Sequence, residues 1–175
     1  MEEELPADAS SLIYLAKADA FAEVALCVQT IQVPPAVWRE AVEDGESIGA
    51  PEVPRIRDAL EAGSLQHVDL TAAQTRLAGT IAGENRIGSG ESEVLAVARP
   101  GARVILDEGR ATRVAHSLGV IPLPTLFLPV VGHREGDLAL NDALDLLRRL
   151  AAVTGVRSDT ALVIEQELRK GRNEH

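Results

Sequence analysis

Aromatic side chains are nearly missing from this chain, which has one Trp, one Tyr and two Phe among 175 residues. With 46% hydrophobic residues it can still bury a core, and that core has to be aliphatic, built from Leu, Val, Ile and Ala. Cysteine occurs once. Cys27 lies in the apolar run Val24-Ala25-Leu26-Cys27-Val28, which reads as a small core residue, and nothing implies an oxidising compartment. Positive charge is scarce as well: 17 Lys and Arg against 27 Asp and Glu leave a net charge of -10. That balance argues against a broad, unassisted nucleic-acid-binding surface, because phosphate binding needs a basic footprint. Long apolar runs are absent. The longest, Val120 to Val131, carries three prolines and is a poor spanning helix. The start, Met1-Glu2-Glu3-Glu4, is acidic where a signal peptide would be basic, so a soluble cytoplasmic protein with no membrane partner is expected.

Several catalytic patterns are missing too. Four histidines, His67, His116, His133 and His175, are scattered without ligand spacing and are expected at the surface, so no zinc site is apparent. There is no Gly-x-Ser-x-Gly elbow and no Gly-x-x-x-x-Gly-Lys-Ser/Thr phosphate loop. A response-regulator receiver needs a late lysine, and the two lysines are Lys17 and Lys170. A haloacid-dehalogenase-type phosphatase needs a second Asp where Ser10 follows Asp8.

What the chain does have is an organising strand, Arg103-Val104-Ile105-Leu106, bounded by Pro100-Gly101 and ending on Asp107-Glu108. An apolar run of this kind fits a strand buried on both faces. In open parallel α/β sheets ligands sit beyond the carboxyl ends of the strands, which is where Asp107 falls. Capping of the following helix, Gly109 to Ala115, is the competing use of that residue.

From the N-terminus, Leu5 to Asp8 is a weak strand, and Ser10 or Ser11 can cap a helix through Ala16. A short helix over Ala20 to Ala25 and a strand within Val28 to Val33 follow. Pro34-Pro35 stops that strand and starts a helix that puts Glu40 beside the apolar positions Val37 and Ala41. Asp44 to Pro54 reads as a loop, Pro54 to Ala62 as helix, Leu65 to Val68 as a minor strand, and Leu70 to Ile81 as a helix begun by Thr71. Gly88, Ser89 and Gly90 mark another helix start, with Glu91 heading a stripe of Val94, Leu95 and Ala98, and Glu93 off the stripe and solvated. The helix dipole alone also explains a first-turn Glu91. Leu118 to Ile121 reads as the last core strand, Leu138 to Leu150 as an amphipathic helix, and Asp159 as the cap of a helix through Leu168. Alternating strands and helices predict an α/β fold, a three-layer α/β/α sandwich with a central mostly parallel sheet. One domain over residues 1–170 and a polar tail over 171–175 are expected.

Asp8, Glu40, Glu91 and Asp107 each stand at an element end or beside an apolar stripe. Carboxylates gathered there repel unless they share protons or bind a cation, and oxygen-only ligation suits Mg²⁺ or Mn²⁺.

The stretches Asp8 to Lys17, Val33 to Glu40, Gly90 to Ala98 and Ile105 to Ala115 occur in the order and spacing of the PIN-domain family, the metal-dependent ribonucleases that include VapC-type toxins. Over about two-thirds of its length the chain resembles the PIN-like branch of that family. The resemblance implies Mg²⁺- or Mn²⁺-dependent hydrolysis of RNA phosphodiester bonds, with Asp8, Glu40, Glu91 and Asp107 as the metal-binding and catalytic acids and Ser10 beside the first. Lys17, Arg110 and Arg113 are the nearby cations in sequence for substrate phosphates. It also implies single-stranded or structured RNA as substrate, single-stranded RNA fitting better than a duplex, an antitoxin protein as partner, and a homodimer. Three positions depart from the family. Glu108 stands where a second Asp is frequent, Thr112 where Arg is frequent, and Thr125 has lost its flanking glycines, which leaves no assured role for it. Those departures and the net acidity support an alternative, a PIN-like binding or regulatory module with little activity.

Overall fold

The computed structural model describes residues 4–107 and 109–170. Among the described residues short runs form five strands: β1 (Glu4–Pro6), β2 (Thr30–Val33), β3 (Leu65–His67), β4 (Arg103–Ile105) and β5 (Ile121–Leu123). Pairing is parallel throughout, β1 with β2, β2 with β3, and β4 with β5. Between β1 and β4 the ladder narrows to an Ala7–Ile105 bridge and one bond from the Asp8 N–H to the Ile105 carbonyl, 3.2 Å. Pro6 accounts for the narrowing. The Ala7 N–H turns to β2, where it meets the Gln32 carbonyl, and the Asp8 N–H turns to β4. Alternation therefore points position 6 at β4, where proline has no N–H to donate. The strand order is 3-2-1-4-5, and it reverses between β1 and β4, the switch point at which such sheets hold ligands.

The helices are α1 (Ala9–Lys17), α2 (Phe21–Cys27), α3 (Pro35–Trp38), α4 (Asp44–Ser47), α5 (Val53–Glu61), α6 (Ala72–Asn85), α7 (Ser89–Val97), α8 (Gly109–Ser117), α9 (Leu128–Glu135), α10 (Leu140–Thr154) and α11 (Ser158–Lys170). A π-helical segment, Arg39–Glu43, carries α3 into α4, and a 3₁₀ turn, Thr125–Phe127, precedes α9. Thr71 caps α6 with a full capping box to Gln74. Together they make the α/β sandwich that strand and helix alternation implied. The buried apolar residues form one cluster whose largest members are Leu and Ile, so the core is aliphatic, as the aromatic-poor composition required.

Several local expectations are corrected. Asp8, not Ser10 or Ser11, is the N-cap of α1, accepting the Ser11 N–H at 2.8 Å. Asp44 to Ser47 is helical rather than loop, because the turn begun at Pro35 runs on through the π segment. The last strand lies at Ile121–Leu123, three residues later than Leu118 suggested: α8 continues to Ser117, and the turn at Gly119 (φ +71°) has to close first. Pro122 is tolerated there because, among the described residues, β5 pairs on one side only. Leu128–Glu135 is a helix that the prolines concealed, with Pro129 in its first turn. Asp159 sits inside the first turn of α11. His133 is buried, its Nδ1 3.0 Å from the Leu138 carbonyl oxygen, whereas His67 and His116 are exposed. Residues 171–175 and Glu108, with the expectations attached to them, lie outside the described residues.

Candidate active site

Asp8 leaves the end of β1 directly into its cap position on α1, which fixes its carboxylate over the carboxyl edge of the sheet. It is only 2% exposed. Burial, and then the charges of Asp107 and Glu91, push its carboxyl up to about 6 against the lowering effect of its bonds from Ser11. Asp107 follows β4, next in the sheet. Its Oδ1 accepts the Thr125 N–H at 2.8 Å, and its Oδ2 accepts the hydroxyls of Thr125 at 2.5 Å and Ser11 at 3.2 Å. Ser11 therefore touches both aspartates, by its N–H to Asp8 and its hydroxyl to Asp107. Ser11 and Thr125 are both fully buried. The helix-capping use of Asp107 is thus not where its described bonds go.

Glu40 and Glu91 meet at the start of α7. Glu40 Oε1 accepts the Ser89 hydroxyl at 3.0 Å and the Gly90 N–H at 3.1 Å, a carboxylate on a positive helix end. A Cβ on Gly90 would stand 2.7 Å from Glu40 Oε2, so only glycine permits this approach. Glu40 itself lies in the π segment, whose extra residue re-aims the side chains that follow α3. Glu91 Oε2 accepts the Gly88 N–H at 2.8 Å. Glu93 is not solvated as expected: it is half-buried and accepts the Ala36 N–H of α3 at 2.7 Å. Helix α7 thus lends a carboxylate to the first turn of α3, and the π segment that follows α3 lends one to the first turn of α7.

The four acids fall into two pairs, Asp8 with Asp107 and Glu40 with Glu91, linked by the charge of Glu91 on Asp8. Glu40 is held through Oε1 and Glu91 through Oε2. Among the described residues none of the four is in an ion pair, and oxygen-only donors carrying unbalanced charge match a hard divalent cation. Among the described residues, however, no three or more His, Cys, Asp or Glu side chains are gathered closely enough to hold a metal ion.

The other expected residues are spread around this edge. Ser10 is half-buried in the first turn of α1. Arg110 and Arg113 are exposed on α8, and Arg110 Nη1 donates to the Arg86 carbonyl at 3.1 Å. Thr112 bonds back to the Gly109 carbonyl of its own helix at 3.1 Å. Lys17 ends α1, nine residues from Asp8 and thus about 14 Å along the helix axis, and is paired with Glu52 at 3.5 Å. It is too distant to share a phosphate with the aspartates. The sequence offered Ser11 only as a helix cap and left Thr125 without a role, and it gave no signal for Arg39, whose Nη2 lies 3.5 Å from the Ser89 hydroxyl. Two hydroxyls after an Asp, Ser10 and Ser11, gave no signal as to which turns inward.

A comparison with curated proteins and one with solved structures each returned no match. The family model DUF3368, described as a PIN domain, matches residues 7–170, a span that begins one residue before Asp8 and includes every side chain of the two acidic pairs. With that match over nearly the whole chain, and Asp8 and Asp107 following the two strands at the switch point of a 3-2-1-4-5 sheet, the chain belongs to the PIN-domain family.

Proposed function

We propose that this chain is a PIN-type ribonuclease, residues 1–170 forming one domain that hydrolyses RNA phosphodiester bonds with Mg²⁺ or Mn²⁺. PIN domains are generally nucleases, which supports a hydrolase. The observation that carries the reading is Asp8: a carboxyl buried to 2% exposure, beside a second aspartate, with its ionisation displaced to about 6. The cap on α1 needs only an acceptor, which Asn supplies without that ionisation cost, and perturbed groups of this kind concentrate at functional sites.

As they stand, Asp8, Asp107, Glu91 and Glu40 are not gathered closely enough to hold an ion, so Glu91 and Glu40 would have to leave their bonds to the start of α7 and close on Asp8 and Asp107; an ion so held would supply a Lewis acid that offsets their charge and activates water. Ser11 and Thr125 fix the two aspartates, so their oxygens are set before substrate arrives. Ser10, Arg110, Arg113 and Arg39 hold the RNA backbone, and a single strand, whose bases are free to be contacted, fits better than a duplex. Lys17 has no part in this. A toxin role with an antitoxin partner, a homodimer and a cytoplasmic location belong to the same proposal; they are supported by the family resemblance, and, for location, by the lack of any helix among the described residues long and apolar enough to cross a membrane.

The test is cleavage of single-stranded RNA with Mn²⁺, expected to vanish in Asp8→Asn and in Asp107→Asn. Cleavage that survives both changes and excess chelator rules the site out. The second reading, a PIN-like binding or regulatory module, is favoured by the bonds that tie Glu40 and Glu91 to the amides of α7. Such a module shows no saturable Mn²⁺ stabilisation, whereas a bound ion raises the melting temperature by mass action.

A further inference from the structure

The chain's single Trp sits on α3, immediately before Arg39 and Glu40. Trp38 is half-buried, and its ring meets that of His67 with centroids 4.5 Å apart and planes at 74°. His67 is exposed and ends β3, in register with Val33, the last residue of β2. The two rings thus form a corner over the carboxyl edge of β2 and β3, the edge from which Asp8 and Asp107 also project. The Arg57 guanidinium covers Trp38 at 5.6 Å from the ring centroid and is held there by Glu46. Arg39, one residue on, turns the other way and reaches Ser89, which also bonds Glu40. Along one helix the chain places an aromatic corner, then a cation, then a candidate catalytic acid.

We propose that the Trp38–His67 corner is a base-binding subsite for single-stranded RNA, in which one nucleobase stacks on one ring and lies edge-on to the other. Arg39 takes the adjoining phosphate on the way to the acids. Stacking on aromatic side chains is sequence-tolerant, because every base has a π-face, and it does not need a basic surface. That suits a chain with a net charge of -10, which cannot rely on phosphate attraction alone. His67 is the ring left exposed at the ligand-holding edge, with the half-buried Trp38 ring against it at 74°.

This inference rests on the RNA reading above, and its test is separable from cleavage. The full chain carrying Asp8→Asn, in chelator, is titrated with a short oligoadenylate and with an abasic ribose-phosphate oligomer of the same length. Trp38 is the only indole, so its fluorescence reports the corner directly. Saturable quenching by the oligoadenylate, with none from the abasic oligomer, is expected. His67→Ala should weaken oligoadenylate binding about tenfold while leaving binding of the abasic oligomer unchanged, and Arg39→Gln should weaken both. Trp38→Phe keeps a ring and should retain affinity as followed by labelled RNA. Oligoadenylate binding without quenching, equal affinity for the two oligomers, or no binding overturns the subsite. Quenching without metal-dependent cleavage by the unsubstituted chain would sink the nuclease reading and leave the subsite standing.

Discussion

Asp8→Asn should make the metal-free protein more stable at neutral pH. Asn caps a helix as well as Asp does, so the bond to the Ser11 N–H keeps an acceptor and the side chain keeps its volume. What changes is the ionisation cost. Folding raises this carboxyl from 3.8 to about 6. A raised acid contributes stability that is complete below the unfolded value and is lost as pH climbs through the folded one. Stability therefore falls between about pH 4 and pH 6 and stays low above. Two units at about 1.4 kcal/mol each put the loss near 3 kcal/mol at pH 7, so the variant should gain about 2–3 kcal/mol there and under about 1 kcal/mol at pH 4. For a chain of this size that is a rise in melting temperature of about 5–10 °C at pH 7. Urea unfolding in chelator at the two pH values measures both figures. A variant that is no more stable than the parent at pH 7, or whose gain does not shrink on acidification, would show that Asp8 is not held as a strained charge.

Thr125→Val keeps the shape and removes the hydroxyl bond to Asp107; a loss of about 1–2 kcal/mol in urea and a weakening of Mn²⁺ binding of about tenfold or more are expected, with Thr125→Ser close to the parent. Gly90→Ala should push Glu40 off α7, because its Cβ would fall 2.7 Å from Oε2, with a stability change within about 1 kcal/mol because the displaced atom ends a flexible side chain and Ala favours the helix; Mn²⁺ binding followed by melting temperature should weaken, and binding equal to the parent's would mean that the docked Glu40 has no part in the site. Cys27 is buried, and its thiol is pushed up to about 12 by that burial and then by Asp137, Glu135 and Glu23. It should resist iodoacetamide at pH 8 until the chain unfolds, and rapid native labelling would contradict the packing.

The acids were readable from the chain because their placing is local: Asp8 and Asp107 follow strands, Glu91 heads the apolar stripe of a helix and Glu40 lies beside one, and a linear reading exposes that. What the acids touch was not readable. Thr125 reaches Asp107 only because β5 lies beside β4, and Glu93 reaches Ala36 only because α3 packs on α7. Both bonds join segments far apart in sequence, so no periodicity announces them. The same limit explains Lys17, which is close to Asp8 by residue number and distant along a rigid helix. Strand β5 was misplaced for a different reason. A proline in an apolar run argues against a strand, and the argument fails only at an edge, which is a property of the sheet and not of the run.

The charge of the molecule has a consequence for how RNA would be held. With -10 overall, the field beyond a Debye length of about 8 Å repels a polyanion at physiological salt. Attraction is then left to Arg39, Arg110 and Arg113, three side chains near the candidate site. Each phosphate neutralised on a single strand contributes about -0.7 to the slope of log affinity against log salt, so three give a slope no steeper than about -2. Screening of the overall repulsion acts in the opposite direction and flattens the slope further. Binding of a labelled single strand to the Asp8→Asn chain, measured across a series of salt concentrations, should therefore be weak in its salt dependence, with stacking carrying what the phosphates do not. A slope steeper than about -4 would require more phosphate contacts than these arginines supply. It would place the RNA on a surface other than this edge.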